Sequence, residues 1–257
     1  MDLKHLRQVA QEAADVGAGI VAARSGRQEA ARSKGPGDYV TAVDRESEAA
    51  IRSFLAGATP DIPVVAEEGG GDRGEAYWAV DPLDGTTNFM IGFPAVSISV
   101  GLVFGERPVV GAVCAPLLGL SFVAARGQGA WSGETRLRVS DRPSERAIVA
   151  TALPFRARAS MDRYRPMLEA AFERTEDIRR AGSAALELAW VAAGVWDGYF
   201  ELNLSVWDVA AGALLVQEAG GVVTDWAGGD EYLKGDVLAG SPQTHAALLE
   251  AARNTGG

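Results

Sequence analysis

The 257-residue chain has one cysteine, Cys114, and two histidines, His5 and His245. A single cysteine excludes an internal disulfide and any cysteine-built zinc cage. Both histidines fall in segments predicted to be terminal helices, far from any loop with functional character. That argues against a serine–histidine triad, an H-E-x-x-H zinc site and a histidine general base. Cys114 has no arginine six residues on, so a cysteine-phosphatase loop is missing, and the residue reads as part of a buried strand. Lysine and arginine are nowhere clustered as counterion-release binding requires, so no direct nucleic-acid contact is expected. No apolar run approaches the roughly 18 residues that span a bilayer. The N-terminus is a charged amphipathic segment rather than a signal peptide, which leads to the expectation of a soluble cytoplasmic protein with no membrane partner. The G-x-x-x-x-G-K-[ST] loop is absent, and "GQGAWSG" (127–133) lacks the third glycine of the dinucleotide fingerprint. Any chemistry must rest on carboxylates, hydroxyls and backbone amides.

Acid is what the chain has in excess. Its 34 acidic against 24 basic residues give a net charge of −10, which suits solubility and leaves carboxylates to hold cations. Apolar residues make up 47% of the chain, ample for a sizeable core. Apolar spacing at Leu3, Leu6, Val9, Ala13, Val16 and Ile20 predicts a helix over 3–31, broken by "SKGPG" (33–37). A second helix is expected over 42–55, then strands at 62–66, 76–81, 95–104, 108–115 and 120–125. Beyond "SDRPSER" (140–146) the pattern alternates: helices at 160–173, 183–193, 207–219 and 242–253, strands at 147–151, 176–181, 197–202, 221–224 and 236–240. This implies two sub-domains in one body, residues 1–142 of α+β type and 143–257 of α/β type, with a site in the cleft between them.

Four polar clusters sit at element ends. In "DYVTAVD" (38–44), Thr41 and Asp44 match a helix capping box and equally offer a carboxylate to a site. In "VVAEEGG" (64–70), Glu67 and Glu68 end a strand, where neighbours point to opposite faces and only one of the pair can easily reach a given site. In "WAVDPLDGTTNF" (78–89), Asp81 and Asp84 flank the stiff Pro82 and Leu83. Their carboxylates and the Leu83 carbonyl are oxygen ligands suited to a hard cation such as Mg²⁺. Gly85, Thr86 and Thr87 open a short helix whose free amides form an anion pocket. Cation ligands beside an anion pocket suggest metal-bound phosphate, although an Asx-turn with a helix cap would also account for the stretch. In "ELNLSVWDVAAGALLVQEAGG" (201–221), Asp208 sits in the first turn of an alanine-rich helix, as a cap or a ligand, and Glu201 ends the strand before it.

With "AEE", "WAVDPLDGTTNF" and "WDVAAGALLVQEAGG" in this order, joined by "VTAVD" and "AGSAALELAWVAAGVWDGYFE", the chain resembles the inositol monophosphatase family of Mg²⁺-dependent, lithium-sensitive phosphatases along nearly its whole length. The resemblance implies a layered α-β-α-β-α sugar-phosphatase fold and two or three Mg²⁺ ions. It makes Glu67, Asp81, the Leu83 carbonyl, Asp84 and Asp208 the metal ligands. Asp44 resembles the aspartate near a third metal position, Glu67 would help activate water, and Thr86 would orient it. Asp84, Gly85, Thr86, Gly182, Ser183, Ala184, Glu201 and Asp208 are then the expected substrate contacts, with Ser183 in place of the family's common threonine. The implied reaction is hydrolysis of a small phosphorylated polyol or sugar by metal-activated water, myo-inositol monophosphate first. Fructose-1,6-bisphosphate or a nucleotide 2′- or 3′-phosphate are the alternative substrates, and a homodimer is the expected assembly. A reading from another class is a regulatory protein that keeps the phosphatase fold for a partner, as associated with transcription machinery in some bacterial relatives. A carboxylate-pair glycosidase has the right residue types but leaves Gly85-Thr86 without a purpose.

Overall fold

The computed structural model describes residues 1–26, 31–35 and 38–254. Helix α1 (Leu3–Arg24) starts on Asp2, whose carboxylate accepts from the amides of Lys4 and His5 at 3.0 and 3.2 Å. It ends earlier than its spacing suggested. Gly26, with φ of +76°, adopts the left-handed conformation that stops a helix. Residues 27–30 of the expected helix lie outside the described residues, as do 36–37 of the expected breaker. Ser33 to Gly35 belong instead to strand β1 (Arg32–Gly35), paired antiparallel with β2 (Asp38–Val40). Helix α2 (Ala42–Ala58) follows.

The first large sheet orders its seven strands as they occur in the chain. They are β3 (Val64–Ala66), β4 (Ala76–Asp84), β5 (Ser97–Phe104), β6 (Arg107–Ala115), β7 (Leu120–Ala125), β8 (Ala130–Ser132) and β9 (Thr135–Arg136), with helix α3 (Thr86–Ile91) between β4 and β5. Only β3 and β4 run parallel. β8 and β9 span three and two residues, too short to print a period on the sequence. The second sheet takes β10 (Ile148–Thr151), β11 (Asp177–Arg179), β12 (Gly198–Glu201), β13 (Val222–Thr224) and β14 (Val237–Gly240) in the order β11-β10-β12-β14-β13. β10 is parallel to both neighbours and β14 antiparallel to both of its own. Helices α4 (Met161–Arg174), α5 (Ala184–Ala192), α6 (Val206–Glu218) and α7 (Pro242–Asn254) complete the chain.

These elements stack as α1 and α2, the seven-stranded sheet, α5 and α6, the five-stranded sheet, then α4 and α7. That is the layered α-β-α-β-α arrangement expected. α5 and α6 are apolar all round because they are covered on both sides, and eight of the nine α5 residues are buried. The contact of α6 with the sheet is close enough to dictate a residue: a Cβ at Gly111 would stand 2.8 Å from the Ala211 backbone, so β6 carries glycine there. Cys114 is buried in β6, and His245 is buried in α7 with Nε2 2.9 Å from Thr224 Oγ1. Both are structural, as anticipated. No helix among the described residues is long and apolar enough to cross a membrane.

Candidate metal and phosphate site

Asp81 and Asp84 are an odd number of residues apart and would point to opposite faces of a regular strand. β4, expected to end at residue 81, instead runs on to Asp84 through a bulge. Its pairing with β5 slips so that Asp81 stands opposite Ser99 and Asp84 opposite Ser97. Pro82, which has no N–H to give to a ladder, sits inside the slip. The extra residue restores the parity and brings both aspartates to one side. Asp208 arrives from the first turn of α6, and one carboxylate oxygen from each of the three lies within 4.8 Å of the others.

The serines opposite the aspartates hold the neighbouring elements in place. Ser99 Oγ donates to the Trp207 carbonyl at 2.8 Å, fixing α6 beside Asp208. Ser97 Oγ lies 3.0 Å from Ser183 Oγ, and Ser183 donates to Asp84 Oδ2 at 2.8 Å, where the Ala185 amide also donates at 2.8 Å. Behind the bulge, Ser47 donates to the Pro82 carbonyl at 2.9 Å.

Both capping readings hold, and neither excludes a place in the site. Asp208 Oδ2 accepts from the Ser205 amide at 2.6 Å, closing the capping box of α6. Asp44 Oδ2 accepts from the Thr41 amide and hydroxyl at 2.8 and 2.6 Å, while its other oxygen accepts from Thr86 Oγ1 at 2.9 Å. Thr86 Oγ1 also lies 3.2 Å from the Leu83 carbonyl, and the Leu83 amide donates to Asp81 Oδ1 at 3.0 Å. α3 begins on Gly85 at φ of +93° with no side chain capping its first turn. A Cβ on Gly85 would meet the carbonyls of Ala95 and Gly182 at 3.0 and 3.2 Å, so only glycine fits the turn.

The second acidic cluster departs from expectation. β3 stops at Ala66, leaving Glu67 and Glu68 in a turn where strand alternation no longer applies. Both carboxylates converge on Lys34 of β1, whose Nζ lies 2.9 Å from Glu67 and 2.6 Å from Glu68. The turn itself is pinned by Glu48, which accepts from the amides of Glu68 and Gly69, each at 2.8 Å. Burial alone would lower the Lys34 pKa, but its bonds to Glu68 and Glu67 hold it above the ordinary lysine range.

Among the described residues no lysine stands between the aspartates as Lys34 does between the glutamates; Arg156 exerts only a minor pull on Asp208. Burial, followed by the charge of neighbouring carboxylates, pushes Asp208 up to about 7 and Asp81 well above the usual carboxylate range. Burial raises Asp84 to about 7 against the pull of its bonds from Ser183 and Ala185. Glu67 adds to the repulsion on all three. The donors are all oxygen, crowded and short of positive charge, which is the chemistry a hard divalent cation satisfies.

A cavity of about 400 Å³ opens beside the cluster, and all eight residues expected at the substrate line it. Glu201 stands on its wall, raised to about 7 by burial, with its Oε2 accepting from the Tyr199 hydroxyl. Several participants gave no sequence signal. Lys34 was read only as part of a breaker. Asn88 Nδ2 donates to the carbonyls of Ala95 and Ala181, each at 2.7 Å, and so ties α3 to the 181–183 wall. Arg156 and Arg180 line the cavity from loops whose path no periodicity reveals.

The model of the inositol monophosphatase family matches residues 2–256. Among curated proteins, the Nus factor SuhB of Vibrio cholerae is 43% identical over 228 residues, covering 87% of this chain and 85% of that protein. The solved structure of the extragenic suppressor protein SuhB from Bartonella henselae superposes with a TM-score of 0.91 at 37% identity, covering 96% of this chain and 98% of that one. An inositol monophosphatase from Anabaena (Nostoc) gives a TM-score of 0.88 at 32% identity, covering 99% and 97%.

Proposed function

Because this chain belongs to the inositol monophosphatase family, we propose that it hydrolyses a small phosphate monoester, myo-inositol monophosphate before others, with Mg²⁺ as cofactor. The observation that carries the reading is the meeting of three buried or half-buried aspartates, within 4.8 Å of one another, with the uncapped start of α3. Asp81, Asp84 and Asp208 would hold the ions, joined by Glu67 and the Leu83 carbonyl. When bound, a divalent ion supplies Lewis acidity, lowering the pKa of a coordinated water and offsetting charge on the leaving oxygen.

The chain's own groups do the rest. Asp44 accepts a hydrogen bond from the Thr86 hydroxyl at 2.9 Å, so the lone pairs of Thr86 Oγ1 are left to accept from a water. The first-turn amides of α3 favour a phosphate by their partial positive charge. Ser183 orients Asp84, and Asn88 and Glu187 fix the 181–183 wall by its carbonyls and by the Ala181 amide. Glu201, its lone pair constrained by Tyr199, is placed to accept from a polyol hydroxyl. The test is phosphate release from inositol-1-phosphate, fructose-1,6-bisphosphate, NADP and adenosine 3′,5′-bisphosphate, each with Mg²⁺, with EDTA, and with Mg²⁺ plus Li⁺. Mg²⁺-dependent, Li⁺-sensitive release supports the reading; no release from any ester under any condition overturns it.

The name of the V. cholerae relative supports a second reading, a Nus factor role in addition to chemistry. A pull-down with wild-type protein and with Asp84→Asn separates the two. Capture of the same transcription proteins by both forms would support a role independent of turnover, and capture of none would remove it.

A further inference from the structure

A second cavity, about 580 Å³, lies at the opposite ends of the two elements that carry the aspartates. β4 contributes Tyr77 to it and Asp81 and Asp84 to the candidate site; α6 contributes Gln217 to it and Asp208 to the site. The nine-residue step from Asp208 to Gln217 along α6 spans ~13 Å, so a ligand in one cavity is out of reach of the other.

Among the charges around the opening, Lys234 pairs with Glu231, and Arg107 approaches Asp230 at 3.7 Å. Among the described residues, Arg73 and Arg126 have no acidic partner within ion-pair distance. Arg73 lies over the Tyr77 ring at 5.7 Å, and Arg126 spends one N–H on the Pro108 carbonyl at 2.5 Å. In a chain with ten more acids than bases, two guanidiniums that line one cavity and are ion-paired to none of its carboxylates, Glu106, Asp230 and Glu231, call for an anion. Two phenols add donors. Tyr232 accepts from Gln217 Nε2 at 3.1 Å, which leaves its own O–H to give, and the Tyr77 hydroxyl has no hydrogen-bond partner among the described residues. On the lip, the β5–β6 turn has Gly105 and Glu106 at φ of +54° and +62°. Glycine takes such a turn without strain and glutamate does not, so a strained side chain is kept at the mouth of the cavity.

We propose that this second cavity binds a small phosphate-bearing anion through Arg73, Arg126 and the two phenols. Calorimetric titration of the full chain with inorganic phosphate, in Mg²⁺ and in EDTA, tests it. Without metal the aspartate cluster repels phosphate, so binding in EDTA reports the second cavity. It should persist in Asp84→Asn and weaken about ten-fold or more in Arg73→Met/Arg126→Met. Absence of binding in EDTA, or binding indifferent to the double substitution, overturns the proposal. Glu106→Gly supplies a variant with no folding penalty: it removes a negative charge and the strained conformation, and should tighten phosphate several-fold with an unchanged or higher Tm. Weaker binding in that variant also overturns it. Repeating the titration with AMP separates the two sources of the group, since tighter binding than phosphate identifies an ester and equal or weaker binding the free ion.

Discussion

Glu67 with Glu68, and Asp81 with Asp84 and Asp208, are two answers to one electrostatic problem. Each gathers carboxylates in a space with little water, where like charges raise one another's pKa. The glutamates are answered from within the chain, by Lys34 at 2.9 and 2.6 Å. The aspartates are bonded by hydroxyl and amide donors, with Arg156 a minor influence on Asp208, and two of them rise to about 7. The difference separates an arrangement that already holds a cation of its own, with Glu67 at its edge toward the aspartates, from one that awaits a cation.

The largest effect expected from breaking that contrast is on turnover. Asp84→Asn should lower phosphate release on the order of 10²–10³-fold, as loss of a group that organises transition-state charge does. The same substitution should raise Tm in EDTA at pH 8, because it removes one repelling charge. A variant with full activity would sink the metal assignment.

Lys34→Met should do the opposite to the other cluster. Removing the shared cation from two largely buried carboxylates should destabilise the protein by roughly 1–3 kcal/mol, discounted from the fully buried case because Lys34 is partly exposed. Adding Glu68→Gln should recover part of it. Chemical denaturation of the single and double variants checks the pair.

Proton linkage sharpens the comparison. Asp84 and Asp208 have folded-state values near 7 against an ordinary 3.8. A raised carboxylate stabilises the fold fully below the unfolded value and loses that contribution as pH rises through the folded one. Metal-free protein should therefore lose stability between about pH 4 and 7, by roughly 1 kcal/mol per group for each unit. Mg²⁺ should flatten the curve by binding the ionised form. A Tm profile equally flat with and without EDTA would contradict this.

The smallest effect belongs to the cavity wall. Glu201→Gln should raise KM for inositol-1-phosphate several-fold and change kcat little, because a lost hydrogen bond to a ring hydroxyl weakens ground-state and transition-state binding alike. An unchanged KM would point to another substrate.

How much of this the sequence disclosed depended on whether a residue's partner was close along the chain. Asp81, Leu83, Asp84, Gly85 and Thr86 lie within six positions, and their oxygen-rich spacing was enough to suggest a cation and a phosphate. Asp208 and Asp44 were legible as helix starts, since capping boxes are local. The pairing of Lys34 with Glu67 spans 33 residues and leaves no periodic trace. The bulge at Pro82 was hidden for another reason: a strand that slips by one residue keeps its composition, and only the Asp81–Ser99 and Asp84–Ser97 register displays it. The apolar spacing that predicted the first helix stops at Ile20 and carries no end signal of its own, so the stop at left-handed Gly26 was not read from it.

α5 and α6, enclosed between two sheets, carry one further consequence. A two-lobed clamp opens by hinging about a few exposed linkers, with little buried surface to separate. Here any such opening would have to peel a largely apolar helix layer from one of its sheets, exposing Leu186, Leu188, Leu214 and Leu215 together. The cleft is therefore not a jaw. Substrate exchange falls to the surface segments at its rim, and turnover should show no signature of large-scale closure, such as a change in radius of gyration on binding.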